Sequence, residues 1–105
     1  MTPIQDWIYS CTHDIGCILC RRDGVHSYGD YHHMLKNGKR MGPMFGFGLC
    51  PSHHRWGGNG VVAREQNVRR FQKAYGPEWA MYEETKALYD EFKRTGIIKP
   101  PQRRA

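Results

Sequence analysis

Two short-spaced pairs of metal-type ligands stand out in the sequence. Cys17 and Cys20 enclose two residues, and Cys50 and His53 do the same. Zinc in proteins takes four nitrogen or sulphur ligands in a tetrahedron, and a two-residue gap lets both side chains of a pair reach one ion. The spacing therefore predicts one structural Zn²⁺ held by Cys17, Cys20, Cys50 and His53.

Cys11 is the alternative fourth ligand, in an all-cysteine site that leaves out His53. Its distance from Cys17 in the sequence and its place on the apolar stripe of a predicted helix favour a packing role instead. Unrelated buried thiols are a further alternative, as are disulphides in a secreted protein. The first residues lack the basic and apolar segments of a secretory signal, which favours a reducing cytoplasm and metal ligation.

A second group of histidines, His32, His33 and His54, lies beside these motifs. Adjacent side chains on a strand point to opposite faces, and adjacent side chains on a helix diverge by about 100°. His32 and His33 therefore have separate roles, as do His53 and His54. We expect His53 to face the zinc and His54 to face a second site. The alternative is that both pairs are incidental surface residues.

Two strands are expected to position these residues, over residues 31–35 and 44–49. Asn37-Gly38 between them is a strong β-hairpin signal. Pro51 suits the first turn of a helix, which Gly57 would end. The ligands thus belong to a hairpin followed by a short helix, in a small α+β domain.

Three further helices are expected around this unit. Thr2 caps the first. Val68, Phe71 and Tyr75 line one face of the second, which Gly76 ends, and Pro77 opens the third, which Gly96 ends. The third helix is acidic, so we expect it to face away from any anionic partner. Its apolar surface is assigned to Trp79, Tyr82, Leu88, Tyr89 and Phe92. Residues 1–96 are predicted to form a single domain, and residues 97–105 a basic, flexible tail.

Charge and composition narrow the class of protein. Hydrophobic residues make up 39% of the 105 residues, and no apolar run approaches the roughly 20 residues of a membrane span, so an integral membrane protein is excluded. Lys and Arg number 16 against 10 Asp and Glu, and this net charge of +6 favours nucleic acid as partner. Six basic residues near the motifs are candidates for phosphate contacts: Arg21, Arg22, Lys36, Lys39, Arg40 and Arg55.

The motifs together resemble a known group of enzymes. The segments Cys17-x-x-Cys20, Tyr31-His32-His33-Met34 and Leu49-Cys50-Pro51-Ser52-His53-His54-Arg55 are similar to the HNH (ββα-metal, His-Me finger) endonuclease fold with a zinc knuckle. Gly38-Lys39-Arg40 and Tyr75-Gly76-Pro77-Glu78-Trp79 extend the likeness to the phage recombination-enhancement (Ref-type, RecA-dependent) nucleases. The resemblance covers about Cys17 to Phe92.

This resemblance implies a hairpin and a helix that grip one catalytic divalent metal, Mg²⁺, Mn²⁺ or Zn²⁺. In such enzymes the first histidine of the strand pair binds the metal and the second is the general base. Carried over, His32 and His54 bind the metal and His33 activates water. The implied substrate is DNA, the implied partner is a recombinase filament, and the implied location is the host cytoplasm if the protein is phage-encoded.

The sequence departs from the family pattern at two places. Residues 43–48 contain no Asn, Asp or His for the middle position of the motif, and Val61-Val62 stand where relatives tend to have a histidine. Asn59 and His26 are the candidate substitutes. The alternative functions are a zinc-stabilised nucleic-acid-binding module without catalysis and a zinc domain that binds protein.

Overall fold

Helices surround two small antiparallel sheets in the computed structural model, which describes residues 1–104. The helices are α1 (Pro3–Tyr9), α2 (Ile18–Arg22), α3 (Val68–Tyr75) and α4 (Glu78–Thr95), and π-helical turns occupy Ser10–Asp14 and Ser52–Trp56. The strands are β1 (Asp30–His33), β2 (Leu35–Lys36), β3 (Lys39–Arg40) and β4 (Gly46–Leu49). The predicted α+β class is confirmed. No helix within residues 1–104 combines the length and the apolar character needed to cross a membrane.

The two sheets form one long hairpin with an interruption. β1 pairs with β4 and β2 pairs with β3, both antiparallel. Asn37 and Gly38 turn the chain with φ of 54° and 78°, as the Asn-Gly signal predicts. Met34 separates β1 from β2, but its amide still donates to the carbonyl of Phe45. The hairpin therefore carries His32 and His33 at the end of β1.

Gly48 in β4 allows the sheet to lie directly on the N-terminal segment. All four residues of β4 are buried, and Gly48 forms a parallel bridge with Cys17. A Cβ at Gly48 would lie 2.3 Å from the carbonyl oxygen of Cys11 and 2.7 Å from that of Gly16. Only glycine permits this contact, which brings Cys17 beside the end of the hairpin.

The helices begin and end largely where local signals place them. Thr2 and Gln5 form a capping box at α1, and Gly76 and Gly96 follow the last residues of α3 and α4. The apolar face predicted for α4 is confirmed in part, because Tyr82, Leu88 and Tyr89 pack against the core. Trp79 is 49% exposed, and the fully buried residues, Met81 and Thr85, were not predicted.

The segment after α4 returns to the body of the protein and contacts α2. The amide of Arg104 donates to the carbonyl of Arg22 at 2.8 Å, and Arg103 forms an antiparallel bridge with Asp23. The guanidinium of Arg21 donates to the carbonyl of Lys99. These contacts fasten the tail across α2; Ala105 lies outside the described residues.

Candidate metal centres

The four ligands predicted from the cysteine spacing converge on one point. Nδ1 of His53 lies 3.6 Å from Sγ of Cys17, 3.7 Å from Sγ of Cys20 and 3.1 Å from Sγ of Cys50. Sγ of Cys20 and Sγ of Cys50 are 3.7 Å apart. All four donor atoms lie within 4.8 Å of one another, so the cluster can hold a metal ion.

These separations fit zinc. A Zn–S bond of about 2.3 Å in a tetrahedron places neighbouring donors about 3.8 Å apart, close to the spacing of Cys20 and Cys50. Hydrogen bonds from Cys17 lower the pKa of Cys20 to about 3 and that of Cys50 to about 6. The lowered pKa values favour the thiolate forms of Cys20 and Cys50, the forms that bind zinc, whereas the same hydrogen bonds raise the pKa of Cys17.

Cys11 lies outside this cluster. It is fully buried in the π-helical turn Ser10–Asp14, and burial raises the pKa of its thiol, which favours the neutral form. The structure thus places Cys11 in a packing position and brings His53, not Cys11, to the other three ligands.

A second group of possible ligands comprises His32, His54 and Glu65, with one donor atom from each within 4.8 Å of the others. His32 comes from β1 and His54 from the π-helical turn, and their rings lie 5.5 Å apart. Two imidazoles and one carboxylate suit Mn²⁺, Zn²⁺ or a similar divalent ion. His53 and His54 thus belong to different clusters, as their divergent directions predict.

Glu65 is a site residue that the sequence reasoning missed. Its Oε1 lies 3.4 Å from Nε2 of His54, and its amide donates to the carbonyl of His54 at 2.9 Å. Neither proposed substitute joins the cluster within residues 1–104. Asn59 is in an exposed turn with φ of 52°, and Nε2 of His26 contacts the carbonyl of His13 at 2.8 Å.

Two more carboxylates contact the paired histidines from outside this group. Oε1 of Glu78 contacts Nε2 of His32, and Oδ2 of Asp30 lies 3.3 Å from Nδ1 of His54. Burial would raise the pKa of Glu78, but His32 and Arg64 outweigh it and lower the pKa. The first residue of α4 therefore faces the histidines.

His33 lines the same cleft as the second cluster but is not one of its ligands. Its Nδ1 is buried and has no hydrogen-bond partner among residues 1–104. Burial lowers the pKa of His33, and the charges of Arg40 and His32 lower it further. The ring is thus a neutral proton acceptor at neutral pH.

The cleft beside His33 has a volume of about 300 Å³ and is lined by three arginines, Arg40, Arg55 and Arg64. Arg40 and Arg55 are exposed, the latter with 61% of its side chain accessible, and Arg64 is largely buried. Guanidinium groups bind phosphate oxygens through paired hydrogen bonds. The cleft is therefore suited to a phosphate group next to the histidines.

The other predicted phosphate contacts divide into two groups. Lys36 and Lys39 are exposed on the β2–β3 hairpin, close to Arg40. Arg21 is buried and donates to the carbonyl of Ile15 at 3.2 Å, and Arg22 is paired with Glu84 at 2.8 Å. The prediction of Arg21 and Arg22 as nucleic-acid contacts is corrected, because the protein itself engages their guanidinium groups.

Comparison with known families identifies the family of the chain. The sequence model of the family described as "Recombination enhancement, RecA-dependent nuclease" matches residues 2–89, which include every residue of both clusters. The chain belongs to this family. A nuclease that acts in RecA-dependent recombination has DNA as its substrate and a functional link to RecA. Both follow for this chain from its family. Searches of curated proteins and of solved structures found no significant match.

Proposed function

We propose that this RecA-dependent nuclease is a metal-dependent DNA endonuclease of the HNH type, with a structural zinc at Cys17, Cys20, Cys50 and His53. The observation that carries the proposal is the convergence of His32, His54 and Glu65 beside His33 in an arginine-lined cleft. The antiparallel pair β1–β4 followed by the π-helical turn Ser52–Trp56 supports a ββα arrangement.

His32, His54 and Glu65 would hold the catalytic ion. A divalent metal bound there supplies Lewis-acid stabilisation of the charge that develops on the phosphate oxygens. Two neutral imidazoles and one carboxylate leave such an ion with a net positive charge, which suits an anionic substrate. The donor set therefore fits the group that the HNH resemblance implies.

His33 acts as the general base in the proposed reaction. Water attacks the phosphorus atom while a ring nitrogen of His33 takes its proton, and the bond to the 3′ oxygen breaks. The departing 3′ oxygen takes a proton from solvent, which leaves a 3′ hydroxyl and a 5′ phosphate. Arg40, Arg55 and Arg64 attract and orient the phosphodiester, whose negative charge would otherwise repel the nucleophile.

Exchange of the proposed base tests this function. We expect His33→Ala to slow plasmid nicking by about 10²–10⁴-fold, since this is the usual contribution of a general base. The assay compares Mg²⁺, Mn²⁺, Zn²⁺ and EDTA, with and without a RecA filament on single-stranded DNA. His26→Ala is the matched control, because His26 is exposed and outside the cleft.

Two results would contradict the proposal. Equal cleavage by wild type and His33→Ala, with zinc retained in both, removes His33 from the mechanism. Salt-sensitive DNA binding by a wild-type protein that cuts DNA under none of these conditions favours the non-catalytic binding module.

A further inference from the structure

α4 contributes one side chain to the proposed catalytic centre. The carboxylate of Glu78 contacts Nε2 of His32, and the two side chains are 15% and 4% exposed. An imidazole has two ring nitrogens, and a metal ligand uses one of them while the other donates a hydrogen bond. Engagement of Nε2 by Glu78 leaves Nδ1 of His32 for an ion.

The position of Glu78 is itself well determined. It is the first residue of α4, where the helix dipole favours a negative charge, and its Oε1 lies 3.6 Å from Nε of Arg64. Met81 and Thr85 anchor the helix in the core, each with 0% exposure. A contact to a helix fixed in this way restricts the ring of His32 to one orientation.

His54 repeats the arrangement with a different carboxylate. Its Nδ1 faces Asp30 at 3.3 Å, and its Nε2 faces the proposed ligand Glu65 at 3.4 Å. Each histidine of the pair thus has one nitrogen directed to a carboxylate outside the ligand group. The side chain of Asp30 is 49% exposed, whereas that of Glu78 is largely buried. We therefore expect Glu78 to restrain His32 more strongly than Asp30 restrains His54.

We propose that Glu78 is a positioning residue that accepts a hydrogen bond from Nε2–H of His32 and directs Nδ1 of that ring to the catalytic divalent ion. The inference rests on the proposed function and adds α4 to the active site. Carboxylate partners of metal-binding histidines hold the ring and its tautomer, and their removal costs about 10–100-fold in metal affinity.

The affinity of the intact, zinc-containing protein for Mn²⁺ tests the inference and does not depend on nuclease activity. We expect Glu78→Ala to weaken Mn²⁺ binding about 10–100-fold in a titration followed by electron paramagnetic resonance. Glu78→Gln retains an oxygen that accepts the hydrogen bond, so this variant should lose less Mn²⁺ affinity than Glu78→Ala. Glu83→Gln, an exposed position on the same helix, should bind Mn²⁺ as the wild type does. Zinc content and circular dichroism verify folding of each variant.

The outcomes separate this inference from the proposed function. A wild-type protein without a Mn²⁺ site overturns both, whereas equal Mn²⁺ affinity in wild type and Glu78→Ala overturns only the role of Glu78. Crystals soaked in Mn²⁺ give a second measurement that does not depend on a variant. An anomalous peak bound to Nδ1 of His32 and separate from Glu78 supports the inference, and a peak coordinated by the carboxylate of Glu78 overturns it.

Discussion

Oε1 of Glu65 lies 3.4 Å from Nε2 of His54, although a glycine-rich turn separates the two residues in the chain. The backbone secures this approach, because the amides of Arg64 and Glu65 donate to the carbonyls of His53 and His54 at 2.8 and 2.9 Å. The loop after the π-helical turn thus folds back along it and supplies the carboxylate of the second ligand group from outside the hairpin.

Exchange of Glu65 should therefore disable the second metal centre. We expect Glu65→Ala to weaken Mn²⁺ binding by more than about 100-fold, since loss of a ligand exceeds the effect of losing an outer partner. The zinc content should not change. Calorimetric titration with Mn²⁺ measures the effect, and Glu91→Ala on the exposed side of α4 is the control. Wild-type affinity in Glu65→Ala would exclude Glu65 as a ligand.

Loss of a zinc ligand should unfold the protein. We expect Cys50→Ser to retain no stoichiometric zinc and to lose its helical circular dichroism, because a structural zinc contributes about 10–16 kcal/mol in small domains. Cys11→Ala should keep one zinc per chain, since Cys11 lies outside the cluster. Elemental analysis of both variants decides the matter, and a folded, zinc-free wild type would contradict the assignment.

Because Gly48 contacts the N-terminal segment closely, a side chain at this position should strongly destabilise the protein. We expect Gly48→Ala to lower the free energy of unfolding by more than about 3 kcal/mol, because the neighbouring atoms are backbone carbonyl oxygens that cannot rotate away. At Gly38 the φ of 78° is equally unusual, but no atom lies within 4 Å, so Gly38→Ala should cost about 1–2 kcal/mol. Urea unfolding measures the stability of the two variants. Similar losses of unfolding free energy in both would show that the close contact at Gly48 does not determine stability.

Two basic residues near the motifs should affect different properties when they are replaced, Arg22 the stability of the protein and Lys39 its DNA binding. Arg22→Ala should lower the free energy of unfolding by about 2 kcal/mol, because it removes charged hydrogen bonds to Glu84 and to the carbonyl of Tyr75. Lys39→Ala should leave stability within about 0.5 kcal/mol of the wild type. It should instead reduce the slope of DNA affinity against salt by about one. DNA binding that is lost in Arg22→Ala at unchanged stability would reverse these roles.

Local rules account for the parts of the fold that the sequence predicts well. The capping residue Thr2, the turn at Asn37-Gly38 and the helix ends at Gly76 and Gly96 each depend on a few neighbouring residues. The Cys-x-x-Cys and Cys-x-x-His pairs are equally local, because a two-residue gap suffices to bring two ligands to one ion. These signals place the first cluster and divide the adjacent histidines between two centres.

Long-range packing determines the features that the sequence does not reveal. Glu65 and Glu78 follow no spacing rule relative to His32 and His54, and only the return of the loop and the docking of α4 bring them together. Arg21 and Arg22 resemble surface cations in the sequence, but the tail and Glu84 enclose them. Burial of Thr85 likewise depends on a partner surface that helical periodicity does not specify.

The adjacency of His53 and His54 has a consequence for the order of metal loading. One peptide bond joins His53 of the proposed zinc site to His54 of the proposed catalytic site, so a zinc ion held by His53 would immobilise the backbone that carries His54. The dependence is asymmetric, since loss of the zinc is expected to unfold the protein, whereas loss of the second ion is expected to leave the zinc site intact. Cells short of zinc would therefore accumulate an apoprotein that abundant magnesium or manganese cannot rescue, and zinc supply would govern how much nuclease matures.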